Sequence, residues 1–140
     1  MKLLFVDDEK AFLDTLIKRL EKRELKADAV YDGKSAISFL SENTSTDVVV
    51  LDVKMPGMDG LETLQAIKNQ NPLVEVIMLT GHATVENAIE GMKRGAFDYL
   101  MKPCNLEELI AKIEQAATKK FQHEEKIMEA RAKEITGRMV

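Results

Sequence analysis

Apolar residues along the chain alternate between short strand-like runs and helical repeats. Runs at residues 2–6, 48–51, 74–79 and 97–101, with a weaker one at 27–31, predict five strands. After each run, apolar residues recur three and four positions apart, which indicates five amphipathic helices. This strict alternation predicts an α/β fold with a doubly wound, five-stranded parallel sheet and right-handed crossovers.

Residue types at the predicted helix ends support this division. Asp59, with Glu62 three residues later, has the pattern of a capping box, and Asn105 precedes the last helix. Gly91 inside the fourth helix lowers helix propensity by ~1 kcal/mol, so this helix is predicted to be soft. Thr84 caps the same helix, and its apolar residues share one face: Val85, Ala88, Ile89 and Met92.

Charged and polar residues follow four of the five predicted strands. They are Asp7 and Asp8 after the first strand, Asp52 after the third, Thr80 after the fourth and Lys102 after the fifth. In doubly wound sheets the carboxyl ends of the strands meet at one edge, where ligands bind. We therefore expect these side chains to lie together, with the first and third strands adjacent if the strand order is 2-1-3-4-5.

Three carboxylates in one cleft repel one another unless a cation lies between them. Oxygen ligands in an open site suit Mg²⁺, and the sequence has no cluster of cysteine or histidine that would indicate zinc. A hydroxyl from Thr80 and a charge from Lys102 opposite the acids would suit a transferred phosphoryl group. The alternative is an accidental acidic cluster in which Lys102 is only an ion-pair partner.

Composition narrows the class of protein. A chain of 140 residues with 45% apolar and 31% charged residues predicts one globular domain, and its net charge of −4 argues against nucleic-acid binding. No apolar run approaches the ~18 residues of a membrane helix. The first strand begins almost at Met1, which leaves no room for a signal peptide, and Cys104 has no second cysteine to pair with. A cytoplasmic protein is expected.

Four motifs carry a resemblance to a known family. FVDD at 5–8, VLDVKMPGMDG at 50–60, LTGHA at 79–83 and FDYLMKP at 97–103 resemble the receiver domain of response regulators in two-component signal transduction systems. The resemblance covers about residues 2–117 and implies a flavodoxin-like (βα)5 fold.

By this resemblance, Asp52 is the phospho-acceptor, which takes a phosphoryl group from a phosphohistidine on a partner histidine kinase. The resemblance implies that Asp8 and Asp52 bind Mg²⁺ together with the backbone carbonyl of Lys54, while Asp7 acts through water. It further implies that the chain is a signalling protein and not an enzyme.

The remaining motif residues are implied to form a switch. Lys102 would neutralise the phosphoryl oxygens, Thr80 would donate a hydrogen bond to one of them, and Tyr99 would turn inward behind Thr80. The Lys102–Pro103 bond matches one that is cis in the family. The surface of the fourth helix, fifth strand and fifth helix would then change, and would signal through protein contacts or a phosphorelay.

Two rival functions remain. A phosphohydrolase with an aspartyl nucleophile needs a second acid, often two residues after the nucleophile, but Lys54 occupies that position and no cap domain is present in the sequence. A receiver-like domain that is never phosphorylated is the other rival, and the intact Asp8, Asp52 and Lys102 argue against it.

The C-terminal part predicts a helix longer than the domain needs. Residues 106–135 contain no helix breaker, which predicts about 30 residues and roughly 45 Å, with fraying at Thr136 and Gly137. We divide the chain into a receiver domain at 1–117 and a helical extension at 118–140. The extension repeats an apolar residue every seven positions, at Phe121, Met128 and Ile135. Charged residues lie between them, at Glu124, Glu125 and Arg131.

This pattern leaves three interpretations of the extension open. It could be a dimer contact, although the charges make a poor coiled-coil seam. It could be a charged helix in solvent, or a linker to an output domain.

Overall fold

The computed structural model describes residues 1–139, which form five strands and five helices in strict alternation. The strands are β1 (Leu3–Val6), β2 (Ala27–Val30), β3 (Val48–Leu51), β4 (Glu75–Thr80) and β5 (Asp98–Met101). The helices are α1 (Lys10–Glu21), α2 (Gly33–Glu42), α3 (Gly60–Gln70), α4 (Val85–Lys93) and α5 (Leu106–Met139). The last residue of the predicted extension lies outside the described residues.

All strands of the sheet run parallel in the order β2-β1-β3-β4-β5, which confirms the predicted fold and strand order. Val6 pairs with Leu51, and Leu51 pairs with Met78, so the three central strands stay in register. β1, β3 and β4 are buried along their whole length, as their apolar runs predict.

The two faces of the sheet carry separate hydrophobic clusters, because successive strand residues point to opposite sides. In β1, Leu3 and Phe5 pack with the apolar faces of α1 and α5. Leu4 and Val6 pack with α2 and α3 on the other face. Helices on both faces therefore leave only the sheet edges, and the ends of the strands, open to ligands.

Side-chain caps confirm the predicted starts of three helices. The carboxylate of Asp59 accepts a hydrogen bond from the Glu62 amide at 2.9 Å, and the Thr84 hydroxyl accepts one from the Asn87 amide at 3.0 Å. The Asn105 side chain accepts one from the Glu107 amide at 2.8 Å. These caps fix where each loop at the carboxyl edge of the sheet ends.

Helix α4 approaches the sheet at a glycine, while its three large apolar residues are exposed. Gly91 is its one fully buried residue, next to the ring of Tyr99. Because glycine has no side chain, the helix can lie close to β5 there. The shared apolar face instead meets solvent, with exposed fractions of 76% for Val85, 52% for Ile89 and 48% for Met92.

Helix α5 continues to Met139, so the predicted fraying at Thr136 and Gly137 is wrong. The Thr136 hydroxyl donates to the carbonyl of Ala132 at 2.9 Å, a bond made within a continuous helix. A Cβ atom at Gly137 would meet nothing outside the helix, so this residue costs only the ~1 kcal/mol of glycine's helix propensity. No helix within residues 1–139 has a segment long and apolar enough to span a membrane.

A buried ion pair joins α5 to the amino-terminal end of the sheet. Lys120 Nζ lies 2.7 Å from Asp47 Oδ1 and 2.9 Å from Glu124, and both Lys120 and Asp47 are buried. The second oxygen of Asp47 accepts a hydrogen bond from the Lys2 amide at 2.7 Å. The domain boundary after residue 117 stays a prediction. The contact between Lys120 and Asp47 nevertheless shows that the turn of α5 after residue 117 packs on the domain.

We therefore expect truncation after Ala117 to destabilise the domain, and truncation after Glu125 to leave it intact. The shorter chain loses the charged hydrogen bond of Lys120 to Asp47 and the turn of α5 that covers Asp47, which should lower the free energy of unfolding by about 2 kcal/mol. Urea denaturation of the two truncations and the full chain measures this difference. Equal stability of both truncations would contradict a structural role for Lys120.

Candidate functional site

Three carboxylates meet where β1 and β3 end. Asp7 and Asp52 follow the paired residues Val6 and Leu51, and the Asp52 amide donates to the carbonyl of Val6 at 3.0 Å. Carboxylate oxygens of Asp7, Asp8 and Asp52 all lie within 4.8 Å of one another. Asp7 and Asp52 are each only 3% exposed, whereas Asp8 faces solvent.

Lys102 brings the opposite charge into this cluster from the end of β5. Its Nζ lies 2.6 Å from Asp7 Oδ2, 3.2 Å from Glu9 Oε1 and 4.0 Å from Asp52 Oδ2. The ring of Phe12 lies 4.1 Å from the same nitrogen, in a cation–π contact. Burial alone would lower the pKa of Lys102, but its hydrogen bond and ion pair with Asp7, with Asp52 and Glu9 adding charge, raise it. Lys102 is therefore held as an ammonium between the acids.

The loop after Asp52 holds its carboxylate in place. Asp52 Oδ1 accepts a hydrogen bond from the Val53 amide at 2.8 Å, and the Gly60 amide donates to the carbonyl of Val53 at 2.6 Å. A Cβ atom at Gly60 would overlap the carbonyl oxygen of Asp52 and lie 2.6 Å from the Cα of Val53. Only glycine allows the start of α3 to approach the end of β3 this closely.

An open cleft of about 450 Å³ lies over Asp52. Its lining combines acidic, basic and apolar residues, with the exposed Lys54 and His82 at its rim: Asp8, Glu9, Asp52, Lys54, Met55, Pro56 and His82. The buried Asp52 carboxylate is thus reachable by a ligand from one side. The role predicted for the Lys54 carbonyl stays a prediction.

Thr80 and Tyr99 lie behind the cleft and do not line it. Thr80 is fully buried, and its hydroxyl accepts a hydrogen bond from the His82 amide at 3.0 Å. Tyr99 pairs with Met78, and its ring packs against α4 at Gly91. Its hydroxyl is buried and finds no hydrogen-bond partner within residues 1–139.

The buried Tyr99 hydroxyl has an altered acidity. Burial raises its pKa, and the charge of Asp52 acts in the same direction. The backbone of Thr84 offsets part of this shift without reaching hydrogen-bonding geometry. The Tyr99 hydroxyl is thus a buried polar group without a hydrogen-bond partner among the described residues, and its predicted inward turn stays a prediction.

The structure also brings two residues to the site that the strand-end pattern does not identify. Glu9 is within 3.2 Å of Lys102, and Phe12 lies beside the same ammonium. Glu9 completes the acidic run after β1, which is a visible signal in the sequence. Phe12 has the spacing of a core residue of α1, and nothing in that spacing indicates a contact with Lys102. The Lys102–Pro103 bond is cis, as the resemblance implies.

The buried Asp7 carboxylate should weaken the fold at neutral pH. Burial, with the charge of Asp52 adding to it, raises the pKa of Asp7 above its ordinary 3.8, although Lys102 and the Glu9 amide oppose the shift. The folded state then binds more protons than the unfolded state just above pH 3.8, so stability falls as pH rises through that window. We expect Asp7→Asn to raise the free energy of unfolding at pH 7, with a gain that vanishes below about pH 3.8.

Urea denaturation of the wild type and Asp7→Asn across this pH range measures the effect. The exposed Asp14 on α1 provides the control variant Asp14→Asn, which should change stability little. A loss of stability in Asp7→Asn at pH 7 would show that the ion pair with Lys102 outweighs burial.

The chain is similar in sequence to one protein family and to several known proteins. Residues 3–114 match the family described as the response regulator receiver domain. The DNA-binding transcriptional regulator NtrC of Salmonella typhimurium is 33% identical over 132 residues, which cover 94% of this chain and 27% of that protein. The transcriptional regulatory protein TctD of the same species is 37% identical over 113 residues, 81% of this chain and 50% of that protein. The chain thus spans about a quarter to a half of these relatives.

Solved structures agree with the fold. A response regulator receiver domain protein from Clostridium thermocellum has a TM-score of 0.82 and 37% identity, covering 86% of this chain and 97% of that one. NtrX from Brucella abortus has a TM-score of 0.80 and 32% identity, covering 91% of this chain and 29% of that one. One edge of the sheet carries the acidic cluster, Lys102 and the buried Thr80, all at positions of the four sequence motifs. This chain belongs to the response regulator receiver domain family.

Proposed function

We propose that the chain accepts a phosphoryl group on Asp52 from a phosphohistidine of a partner sensor histidine kinase, in a reaction that requires Mg²⁺. One observation carries this proposal: the Lys102 ammonium lies 4.0 Å from an acceptor carboxylate that opens onto a cleft. A phosphoryl group on Asp52 would add roughly −1.5 to −2 charge, which the ammonium can neutralise in place.

The two oxygens of Asp52 have different surroundings. Oδ1 already accepts the Val53 amide, whereas Oδ2 is the oxygen nearer to Lys102. In the transfer, one carboxylate oxygen attacks phosphorus, the bond between phosphorus and the kinase imidazole nitrogen breaks, and the electron pair leaves with the imidazole. Asp52 is then an acyl phosphate, so the chain is altered by the reaction and acts as a signalling module and not as a catalyst.

The donor set fits Mg²⁺. Three carboxylates with oxygens within 4.8 Å offer only hard ligands. Burial and the charge of Asp52 raise the pKa of Asp7, and a bound cation would favour its ionised form. Asp8 and Asp52 would hold the ion with the Lys54 carbonyl, while Asp7 would act through water. The ion would supply positive charge to the phosphoryl oxygens, beside that of Lys102.

Phosphorylation would be read out through Thr80 and Tyr99. The Thr80 hydroxyl would leave the His82 amide and donate to a phosphoryl oxygen, and the buried Tyr99 hydroxyl would follow it. Tyr99 packs on Gly91, so this change reaches α4 directly. The surface of α4, β5 and α5 would then present a different face to other proteins.

The exposed apolar residues of that surface support a role in protein contacts. Val85, Ile89 and Met92 on α4 and Met101 on β5, which is 64% exposed, are large side chains in solvent. A downstream protein, or a phosphotransfer protein in a relay, is the partner of this surface. We place the reaction in the cytoplasm.

Incubation with Mg²⁺ and a small-molecule phosphodonor tests the proposal. Intact-mass spectrometry should show the addition of one phosphoryl group, which hydroxylamine removes because acyl phosphates react with it. The modified peptide should contain Asp52, and chelation of Mg²⁺ should prevent labelling. An unlabelled, folded chain under these conditions, or a label on another residue, would refute the assignment.

A further inference from the structure

The Lys102 ammonium, which faces the acidic cluster, also lies over an aromatic ring. Its Nζ donates hydrogen bonds to Asp7 at 2.6 Å and to Glu9 at 3.2 Å, and it lies 4.1 Å from the centre of the Phe12 ring. Asp52 Oδ2, at 4.0 Å, is too far away for a hydrogen bond. We propose that Phe12 is a positioning residue, whose ring holds this ammonium in place for a phosphoryl group on Asp52. The inference rests on the proposed function, because the position of Lys102 matters only if a phosphoryl group reaches Asp52.

An aromatic ring suits this position because it attracts a cation without requiring one of its hydrogen-bond donors. An ammonium has three N–H groups, and Lys102 uses two of them within residues 1–139, on Asp7 and Glu9. A further carboxylate or carbonyl in the place of the ring would bind the third. The negative face of the ring instead attracts the charge as a whole. The third N–H is therefore left for an oxygen that arrives between Nζ and Asp52.

The surroundings of the ring strengthen this attraction. The Lys102 side chain is only 12% exposed, so few water molecules can compete for its charge. Next to the acidic cluster, Phe12 lines a narrow gap with Leu13, Leu51 and Leu79 that is too small for a water molecule. Cation–π contacts are worth more when the cation is shielded from water. The ring thus contributes more here than it would at an exposed site.

One short segment supplies the ring and the two acids that bind the ammonium. Asp7 follows β1, Glu9 is the N-cap of α1, and Phe12 lies in the first turn of that helix. Asp7 Oδ1 accepts a hydrogen bond from the Glu9 amide at 2.9 Å, and the Glu9 carbonyl accepts one from the Leu13 amide at 3.1 Å. Leu13 is buried in the core, which fixes the first turn of α1 on the sheet. The ring and the two acids therefore keep a fixed spacing around the ammonium.

The competing interpretation is that Phe12 is only a core residue of α1. Phe12 is half-buried and packs against the apolar cluster that the sheet forms with α1 and α5. A purely structural ring would tolerate another ring of similar size, and its loss would lower stability without a specific effect on Lys102. The two interpretations differ in whether the electrons of the ring matter.

A double-mutant cycle between Phe12 and Lys102 tests the coupling. Phe12→Leu keeps an apolar side chain but removes the ring, and it should slow labelling of the full chain by acetyl phosphate and Mg²⁺ about fivefold. In a Lys102→Met background the same substitution should change the rate by less than about twofold, because no ammonium remains. Phe39→Leu, at a half-buried position of α2 on the other face of the sheet, is the matched control and should leave the rate unchanged.

Fluorinated phenylalanines in place of Phe12 separate charge from packing. Fluorine withdraws electrons from the ring face while the ring keeps nearly its size. Labelling should therefore slow stepwise from phenylalanine through monofluoro- to trifluorophenylalanine, and the last should approach the rate of Phe12→Leu. NMR of the unlabelled wild type should show the ε-methylene protons of Lys102 shifted upfield by the ring, and Phe12→Leu should remove this shift.

The outcomes of these experiments distinguish the inference from the proposed function. Equal rates in the wild type and Phe12→Leu, or an equal slowing by Phe12→Leu with and without Lys102, would overturn the inference. A rate that is the same for all the fluorinated rings would overturn it as well. Each of these results requires a wild type that is labelled on Asp52. A folded wild type that acetyl phosphate does not label would instead refute the proposed function, and the inference with it.

Discussion

Asp52→Asn should abolish phosphorylation of the chain by a small phosphodonor in the presence of Mg²⁺. The amide keeps the size and the hydrogen bond to the Val53 amide, but it lacks the negative oxygen that attacks phosphorus. It also removes one negative charge from the acidic cluster, which is the proposed Mg²⁺ site. We expect the rate of labelling, followed by intact-mass spectrometry, to fall by at least about 10³-fold.

The matched control is Asp14→Asn, since Asp14 is an exposed aspartate on α1 away from the cleft. This variant should be labelled at the rate of the wild type. Circular dichroism should show that both variants are folded, because neither substitution changes side-chain volume. Labelling of Asp52→Asn at the wild-type rate would remove Asp52 from its proposed role.

Lys102→Met should lower the rate of phosphorylation by about 10²-fold. Methionine keeps an unbranched apolar chain beside Phe12, so the substitution removes mainly the ammonium. Without it, no side-chain cation within 4.0 Å of Asp52 remains in the described part of the chain to meet the phosphoryl charge.

Binding of Mg²⁺ separates this electrostatic effect from a loss of structure. Loss of a positive charge beside the acids should strengthen Mg²⁺ binding in a calorimetric titration, while phosphorylation becomes slower. A collapsed site would lose both properties. Lys93→Met, at an exposed position of α4, is the control and should leave both unchanged. Unchanged phosphorylation in Lys102→Met would mean that Lys102 only neutralises Asp7.

The edge of the sheet that carries the site could be predicted because parallel strands all end on the same side. Each of the residues Asp7, Asp52 and Lys102 follows an apolar run, and the sheet order then brings these positions together. The local caps at Asp59, Thr84 and Asn105 were equally visible, because they depend on residues within a few positions of each other.

Contacts between distant parts of the chain could not be predicted in this way. The ion pair of Lys120 joins residues 73 positions apart, and a lysine in a charged helix gives no sign of burial. Likewise, the apolar residues of α4 have the spacing of a core face, yet the helix rests on Gly91. Spacing shows that residues share a face but does not show which face the sheet will cover.

Because α4 lies against the sheet at Gly91, its exposed apolar residues are available for protein engineering. Val85, Ile89 and Met92 fill no cavity, so replacing them creates no void and costs the fold little. These three positions can therefore be randomised in a library selected for new binding partners, while Asp52 and the acidic cluster around it stay untouched. With the proposed phosphorylation of Asp52 as its input, the domain would then serve as a scaffold whose binding partners are changed by surface substitutions alone.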